Sequence, residues 1–336
     1  MLNKETRRQV VQGVQDNSFL APRFIGLMHN SRVSGNVLNS LNSMNSLYTR
    51  IVYIIIGIMA CLSAHAKCFG DVKQLSADSI TVCQLLAEAR KLPATTNLPL
   101  FFAKKFIGRP YVASTLEGDT HERLVVNTRQ LDCTTLVENV VALTLCAQSR
   151  QYTYFAYKHT LVDLRYRGGI IDGYPSRLHY FTEWITDNTR AGVVSEVQSP
   201  NPPFTAVQTV QVNYMSTHPQ SYQALREHPE FVSAISKMEH RVSGAKYRYI
   251  PKKDVGNSSL LRKAIHDGDI IAITCKKPGL DIAHLGFAVW QKDGLHLLNA
   301  SMVHKKVVLE PMTLYKYLQK HPSHTGIRII RINNNK

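Results

Sequence analysis

The chain has 336 residues, of which 44% are hydrophobic and 19% charged. That balance excludes an intrinsically disordered chain and leaves room for one domain with insertions. Lysine and arginine number 40 against 24 acidic residues, a formal +16, which suits an anionic polymer as partner. Nucleic acid is the competing polymer, but no recognition motif for it is present.

Residues 1–43 show no core-forming periodicity, and Asn and Ser crowd 30–46. They read as an over-extended start or a dispensable leader. From Met44 the pattern changes: Arg50 precedes an apolar run to Leu62, then Ser63-Ala64-His65-Ala66, a small-x-small cleavage site before Lys67. We read 44–66 as a signal peptide, because the run is too short to span a bilayer. No stable membrane span is expected in the mature form. Ile58-Met59-Ala60-Cys61 resembles a lipoprotein cleavage site, a minor alternative. The expected mature domain, 67–336, is exported to a periplasm or secreted. It loses six basic and two acidic residues with the leader and keeps a net +12.

Periodicity predicts a helix over 76–92, with Leu85, Leu86 and Ala89 inward. Pro93, Pro99 and Pro110 break the segment that follows. A second helix covers about 133–149: Leu136, Val140 and Leu143 form one stripe, with Val137 and Val141 beside it. Thr135-Leu136-Val137-Glu138 fits a capping box, and Asp132 is an alternative N-cap. Either way Cys133 falls near the first turn. There the helix dipole favours thiolate, and free N–H groups are available for an oxyanion. Cys146, on the same helix, reads as core. The mature part keeps five cysteines (68, 83, 133, 146 and 275), an odd number that leaves a free thiol. Cys68 and Cys83 are a candidate pair that sequence does not decide.

Helical and loop material runs from Tyr152 to Asp187, and Ser199-Pro200-Asn201-Pro202-Pro203 is a breaker cluster. Ser221 to Met238 reads as one helix. About 150–265 is taken as a large insertion that caps a groove. Strands are expected over Asp269–Cys275, His284–Trp290, Leu295–Ala300 and Ile327–Ile332. In the second, Leu285, Phe287 and Val289 form a core face, and the face of His284, Gly286, Ala288 and Trp290 is open to a helix or substrate. Asp293-Gly294 is a hairpin signal. A two-residue turn would pair Ala288 with Asn299 and Gly286 with Ser301. A nucleophile helix packed on an antiparallel sheet gives an α+β fold. No Cys or His cluster has zinc-ligand spacing, so no metal and no cofactor is expected.

Asp132-Cys133-Thr134, His284-Leu285-Gly286-Phe287 and Leu298-Asn299-Ala300-Ser301 resemble the NlpC/p60 superfamily of papain-like peptidoglycan hydrolases. Arg109 to Glu117, Leu131 to Leu143 and Ser176 to Ile185 resemble its N-acetylmuramoyl-L-alanine amidase-like branch more closely. The likeness spans about 80–332. It implies Cys133 as nucleophile, His284 as general base and Asn299 as the group orienting His284, with Ser301 in reserve. Many superfamily members carry histidine at the Asn299 position. Tyr111 matches a tyrosine that faces the nucleophile. Asp132 and Thr134 flank the thiol and are expected on the substrate side. Arg177 is a candidate clamp for a substrate carboxylate, with His179 and Tyr180 beside it. Glu117 and Glu138 are candidate polar partners in the cleft.

The resemblance implies a cysteine amidase that cuts the N-acetylmuramoyl–L-Ala amide of muropeptides, the soluble fragments of peptidoglycan, through a Cys133 thioester. Two alternatives stand beside it: an endopeptidase cutting D-Glu–diamino acid, and a catalytically silent wall-binding module.

Overall fold

The computed structural model describes residues 76–118 and 121–334. The leader and signal readings, Cys61 and Cys68 lie outside the described residues. Among those described, no helix is long and apolar enough to cross a membrane.

The first helix, α1, is Ala77–Ala89, capped by the Ser76 hydroxyl. Helix α2 is Leu98–Lys105, with the Asn97 side chain as cap and proline in its first turn. Next come α3 (Cys133–Gln148), α4 (Tyr154–Arg165) and α5 (Phe181–Arg190). Two short strands, β1 (Val194–Glu196) and β2 (Ala206–Thr209), follow. The region expected as one helix over 221–238 is in pieces. After α6 (Tyr214–Thr217), which lies upstream of it, that region holds α7 (Gln223–Glu227) and the start of α8 (Phe231–Val242). Pro229 lies between the last two, and proline disfavours helical backbone in the residue before it and lacks the N–H the ladder needs.

Strand β3 (Lys246–Pro251) and helix α9 (Ser259–Ala264) lead to the main sheet strands. These are β4 (Ile270–Cys275), β5 (Ile282–Trp290), β6 (Leu295–Ser301) and β7 (Lys306–Leu309). Helix α10 (Leu314–Gln319) and β8 (His324–Ile332) complete the chain. The sheet runs β2-β3-β8-β4-β5-β6-β7, with β1 added on β8. Among the described residues, every ladder between these strands is antiparallel. The fold is therefore α+β, and the section 150–265 contributes three strands besides its helices.

Alternation sorts the two faces of the sheet. Leu285, Phe287 and Val289 of β5 are buried with Leu136, Val140 and Leu143 of α3. Ala288 faces the other way, with Ile271 and Ile273, against Leu261 of α9 and Leu314 and Leu318 of α10. The small face of β5 thus receives helices, and Gly286 gives room to the neighbouring strand β6. A Cβ there would lie 2.7 Å from the Leu298 carbonyl oxygen. A third cluster packs Val210, Val212, Met215, Leu225, Ile235 and Met238 with Tyr174 and Tyr180.

Candidate active site

Helix α3 starts at the thiol because of a local cap. The Asp132 carboxylate accepts the Thr135 N–H at 2.8 Å, and the Thr135 hydroxyl oxygen accepts the Asp132 N–H at 2.9 Å. This reciprocal box replaces the one expected from Thr135 to Glu138. The true N-cap is Asp132, so Cys133 is the first residue of the helix. Glu138 points inward instead. It is 2% exposed and meets Arg165 at 2.8 Å, so it is no partner in the cleft. The box uses the Thr135 N–H, and Leu136 N–H donates to the Asp132 carbonyl. The N–H groups of Cys133 and Thr134 are left without carbonyl partners among the described residues.

His284 lines the same cleft as Cys133, from β5. Ile273 pairs with His284 but Thr274 pairs with Ile282, so Ala283 is an extra residue in the strand. Such a bulge re-aims the adjoining side chain. His284 Nε2 lies 3.0 Å from Asn299 Oδ1. An amide oxygen only accepts, so Nε2 carries the proton and Nδ1 keeps its lone pair. The hairpin that brings the two together differs from the two-residue turn expected. Trp290 pairs with Leu295 and Ala288 with Leu297, and Gln291–Gly294 forms a four-residue loop. Its ends are joined by Gln291 N–H donating to the Gly294 carbonyl, and Asp293 is drawn back to His296 Nε2 at 2.9 Å. The shift moves Asn299 two residues toward His284. Ser301 Oγ instead accepts the His304 N–H at 3.2 Å.

Burial favours the uncharged form of both Cys133 and His284. Burial pushes the Cys133 thiol up to about 12, and the Asp132 charge adds to that. A backbone hydrogen bond from Leu285, the Thr134 hydroxyl and the residue's own N–H pull the other way without reversing it. Burial thus opposes the thiolate that the helix dipole favours. The capping anion that starts the helix also opposes a second negative charge beside it. Burial pushes His284 below its usual 6.5; the Asn299 bond, Asp132 and Glu310 oppose this, and His321 reinforces it. Tyr111 is raised by burial, then by the Cys133 and Asp132 charges. Its backbone is fixed next to the helix start, donating to the Lys305 carbonyl and bridging Leu131.

Cys133 and His284 line one cleft of about 500 Å³, with Thr134, Glu117, His179 and Tyr180 also on its walls. Asp132 serves as cap. Arg177 is not the free clamp that sequence suggested. Its guanidinium meets Glu122 at 2.6 Å and Glu117 at 2.7 Å, and the residue is 8% exposed. Two carboxylates already neutralise it. His179 donates from Nε2 to the Tyr174 carbonyl at 2.9 Å, which leaves Nδ1 as an acceptor. Burial, then Arg177, pushes this imidazole down to about 3. The Tyr180 hydroxyl is spent on Glu239 at 2.7 Å, so Tyr180 offers the cleft its ring.

Sequence reasoning missed the opposite wall, made by Met215, Ser221, Tyr222, Gln223 and Arg226. The only local signal is the four-residue spacing of Tyr222 and Arg226, which puts both on one helical face. It also missed the aromatic stack near His284. The Tyr317 ring lies 6.5 Å from that of His284, and His321 and His324 stack at 4.6 Å. Among the described residues, no group of three or more His, Cys, Asp or Glu side chains is placed to hold a metal ion.

Comparison with known proteins gives a consistent result. Residues 101–327 match the family model "AmiA-like", described as N-acetylmuramoyl-L-alanine amidase-like. A solved N-acetylmuramoyl-L-alanine amidase from Bacteroides uniformis is 40% identical, with a TM-score of 0.66. The match covers 73% of this chain and 99% of that one. A Bacteroides fragilis protein, provisionally named a xylanase, is also 40% identical, with a TM-score of 0.65 over 69% of this chain and 99% of its own. A Legionella pneumophila structure at 20% identity and TM-score 0.58 shares the fold, over 76% of this chain and 94% of that one. No match is found among curated proteins.

Proposed function

The chain belongs to the AmiA-like, N-acetylmuramoyl-L-alanine amidase-like family, and on that premise we propose that it cleaves the muramoyl–L-Ala amide of muropeptides through a thioester on Cys133. The observation that carries this reading is the His284–Asn299 bond, which presents a neutral imidazole lone pair in the cleft that Cys133 lines. The order of Cys, His and Asn supports a papain-like, NlpC/p60 kind of site. The expected signal over 44–66 fits action on wall material outside the cytoplasm.

The chemistry follows from the atoms. Sγ attacks the lactyl carbonyl carbon as its proton passes to His284 Nδ1. The carbonyl oxygen gains the charge, and the N–H groups of Cys133 and Thr134 are placed to receive it. When the C–N bond breaks, the proton on Nδ1 goes to the departing L-Ala nitrogen. Water, giving its proton to Nδ1, then hydrolyses the thioester. The freed muramoyl acid leaves, and the thiol is restored.

Glycosidase chemistry, which the xylanase name of one relative suggests, needs two carboxylates flanking the bond. Glu117 and Asp281 are the carboxylates lining the cleft. Glu117 is tied to Arg177, and Asp281 accepts the N–H groups of Thr182 and Ile282. The test is mass spectrometry of defined muropeptides after incubation with the wild type and with Cys133→Ala. Release of an intact stem beginning at L-Ala, lost in the variant, supports the amidase. A shorter peptide lacking L-Ala and D-Glu indicates the endopeptidase. No cleavage at all indicates a binding module.

A further inference from the structure

The cleft holds one lysine or arginine side chain, Arg226, and the acids near it are all engaged elsewhere. Glu117 is bonded to Arg177 at 2.7 Å. Asp281 accepts two backbone N–H groups, from Thr182 at 2.7 Å and from Ile282 at 2.8 Å. Glu227, next to Arg226 in α7, accepts from Gln223 Nε2 at 2.8 Å. Arg226 has no carboxylate partner among the described residues. Its one hydrogen bond, Nη1 to the Gln220 carbonyl at 2.9 Å, steadies the side chain and leaves Nε and Nη2 free.

The wall that carries Arg226 is anchored. Glu239, 2% exposed, accepts at one oxygen from the Tyr180 hydroxyl and from the N–H groups of Met215 and Ser216, at 2.7, 3.0 and 3.1 Å. Tyr180 and Met215 both line the cleft, so this buried carboxylate ties its two sides together. One turn of α7 before Arg226, Tyr222 faces the same cavity.

We propose that Arg226 binds a carboxylate of the substrate, the free α-carboxylate of the γ-linked D-Glu that follows L-Ala in the stem peptide. The assignment rests on the amidase reading above. It follows from charge and shape: a planar guanidinium with open donors pairs bidentately with a carboxylate and gains from a cleft that partly excludes water. The stem offers that anion one residue beyond the scissile amide. Arg226 is a binding residue for the leaving peptide and takes no part in bond breaking.

The experiment measures kcat and KM on two muramoyl peptides that differ only at this carbon, one with the carboxylate and one with the carboxamide. The wild type should show a KM about tenfold lower for the acid, with kcat within about twofold, as expected for a bidentate guanidinium–carboxylate pair lost equally from ground and transition states. R226Q should bind the acid about tenfold more weakly and lose the preference for it over the amide. R226K should recover part of it. The residue is exposed, and an unchanged melting curve checks that the variants fold. If R226Q keeps the full preference for the acid, or loses kcat at constant KM, the proposal is overturned. Calorimetric Kd values for both peptides on Cys133→Ala, with and without R226Q, separate the two readings. If the wild type cuts neither peptide, the amidase reading falls; a tenfold Kd dependence on Arg226 still supports the carboxylate assignment, and its absence overturns that too.

Discussion

Asn299 offers the most direct test of the site, because one bond does two jobs. Its Oδ1 accepts the Nε2–H of His284 at 3.0 Å, and the residue is 1% exposed. Asn299→Ala removes the acceptor and leaves that N–H facing an apolar gap, at a cost of about 1–3 kcal/mol. It also frees the imidazole proton to move to Nδ1, the nitrogen that must be bare to take the thiol proton. If the cost falls on the transition state, kcat/KM drops by about 5- to 150-fold.

The pH profile gives a second readout with a definite sign. The acid limb of kcat/KM reports His284 in the free protein, and base catalysis needs it neutral. Burial holds His284 below its usual 6.5, so the limb lies below that value. The Asn299 bond raises His284, so its loss moves the limb to still lower pH. Asn299→Asp does the reverse: a carboxylate favours imidazolium and moves the limb upward. Purified proteins are assayed on one muropeptide from pH 4 to 9, with melting curves as the check on folding. A kcat/KM for Asn299→Ala within twofold of wild type, with the limb unmoved, would refute the orienting role.

Cys133 should be alkylated by iodoacetamide more slowly than exposed Cys83 at pH 7, with a rate still rising above pH 9, because its thiol is pushed up to about 12. Peptide mass spectrometry reads the order, and first labelling of Cys133 at pH 7 would mean a preformed thiolate. Arg177→Met should cost about 3–5 kcal/mol of stability, because it strands two carboxylates, one of them nearly buried. A change in urea midpoint below about 1 kcal/mol, with KM raised, would return Arg177 to the role of substrate clamp. Acid should destabilise the fold through His179 and His324, held down to about 3 and about 4. Their neutral forms stabilise the fold fully above about 6.5, and that support is lost as pH falls toward those values, at up to about 1.4 kcal/mol per pH unit for each. His324→Gln should flatten the urea midpoint between pH 6.5 and 4, and an unaltered slope would count against it.

What sequence revealed and what it hid divide along the range of the interactions. The helix after Asp132 was legible because its cap and apolar spacing lie within a few residues. Strands β4 to β6 and most of β8 were legible because burial on both faces leaves short, largely apolar runs bounded by turn signals. The hairpin register was not, since it depends on a four-residue loop steadied by Asp293 and His296. Arg177 could not be read correctly either: its partner Glu122 lies 55 residues away, and a guanidinium in a sequence looks alike whether spent or free. Strand β2 hides because it alternates between half-buried and exposed positions, a weak hydrophobic signal. The wall bearing Arg226 depends on Glu239 joining segments that lie 24 and 59 residues away.

The protonation states leave one question about Asp132 that an exchange of one atom answers. Burial holds the thiol high and the imidazole low, so before attack the proton stays on sulfur, and its transfer to Nδ1 is expected to be coupled to attack on the carbonyl. The Asp132 charge opposes thiolate and favours imidazolium, so for the ion pair the two effects act in opposite directions. Asp132→Asn keeps the cap, since asparagine serves as well at that position. Without the charge both groups should titrate lower. Alkylation of Cys133 at pH 8 should speed up severalfold, the acid limb should move down, and kcat should change by less than about threefold. An unchanged alkylation rate would show that the capping carboxylate does not act on the thiol. A collapse in kcat with the fold intact would show that its charge is needed to hold the imidazolium as the thioester forms.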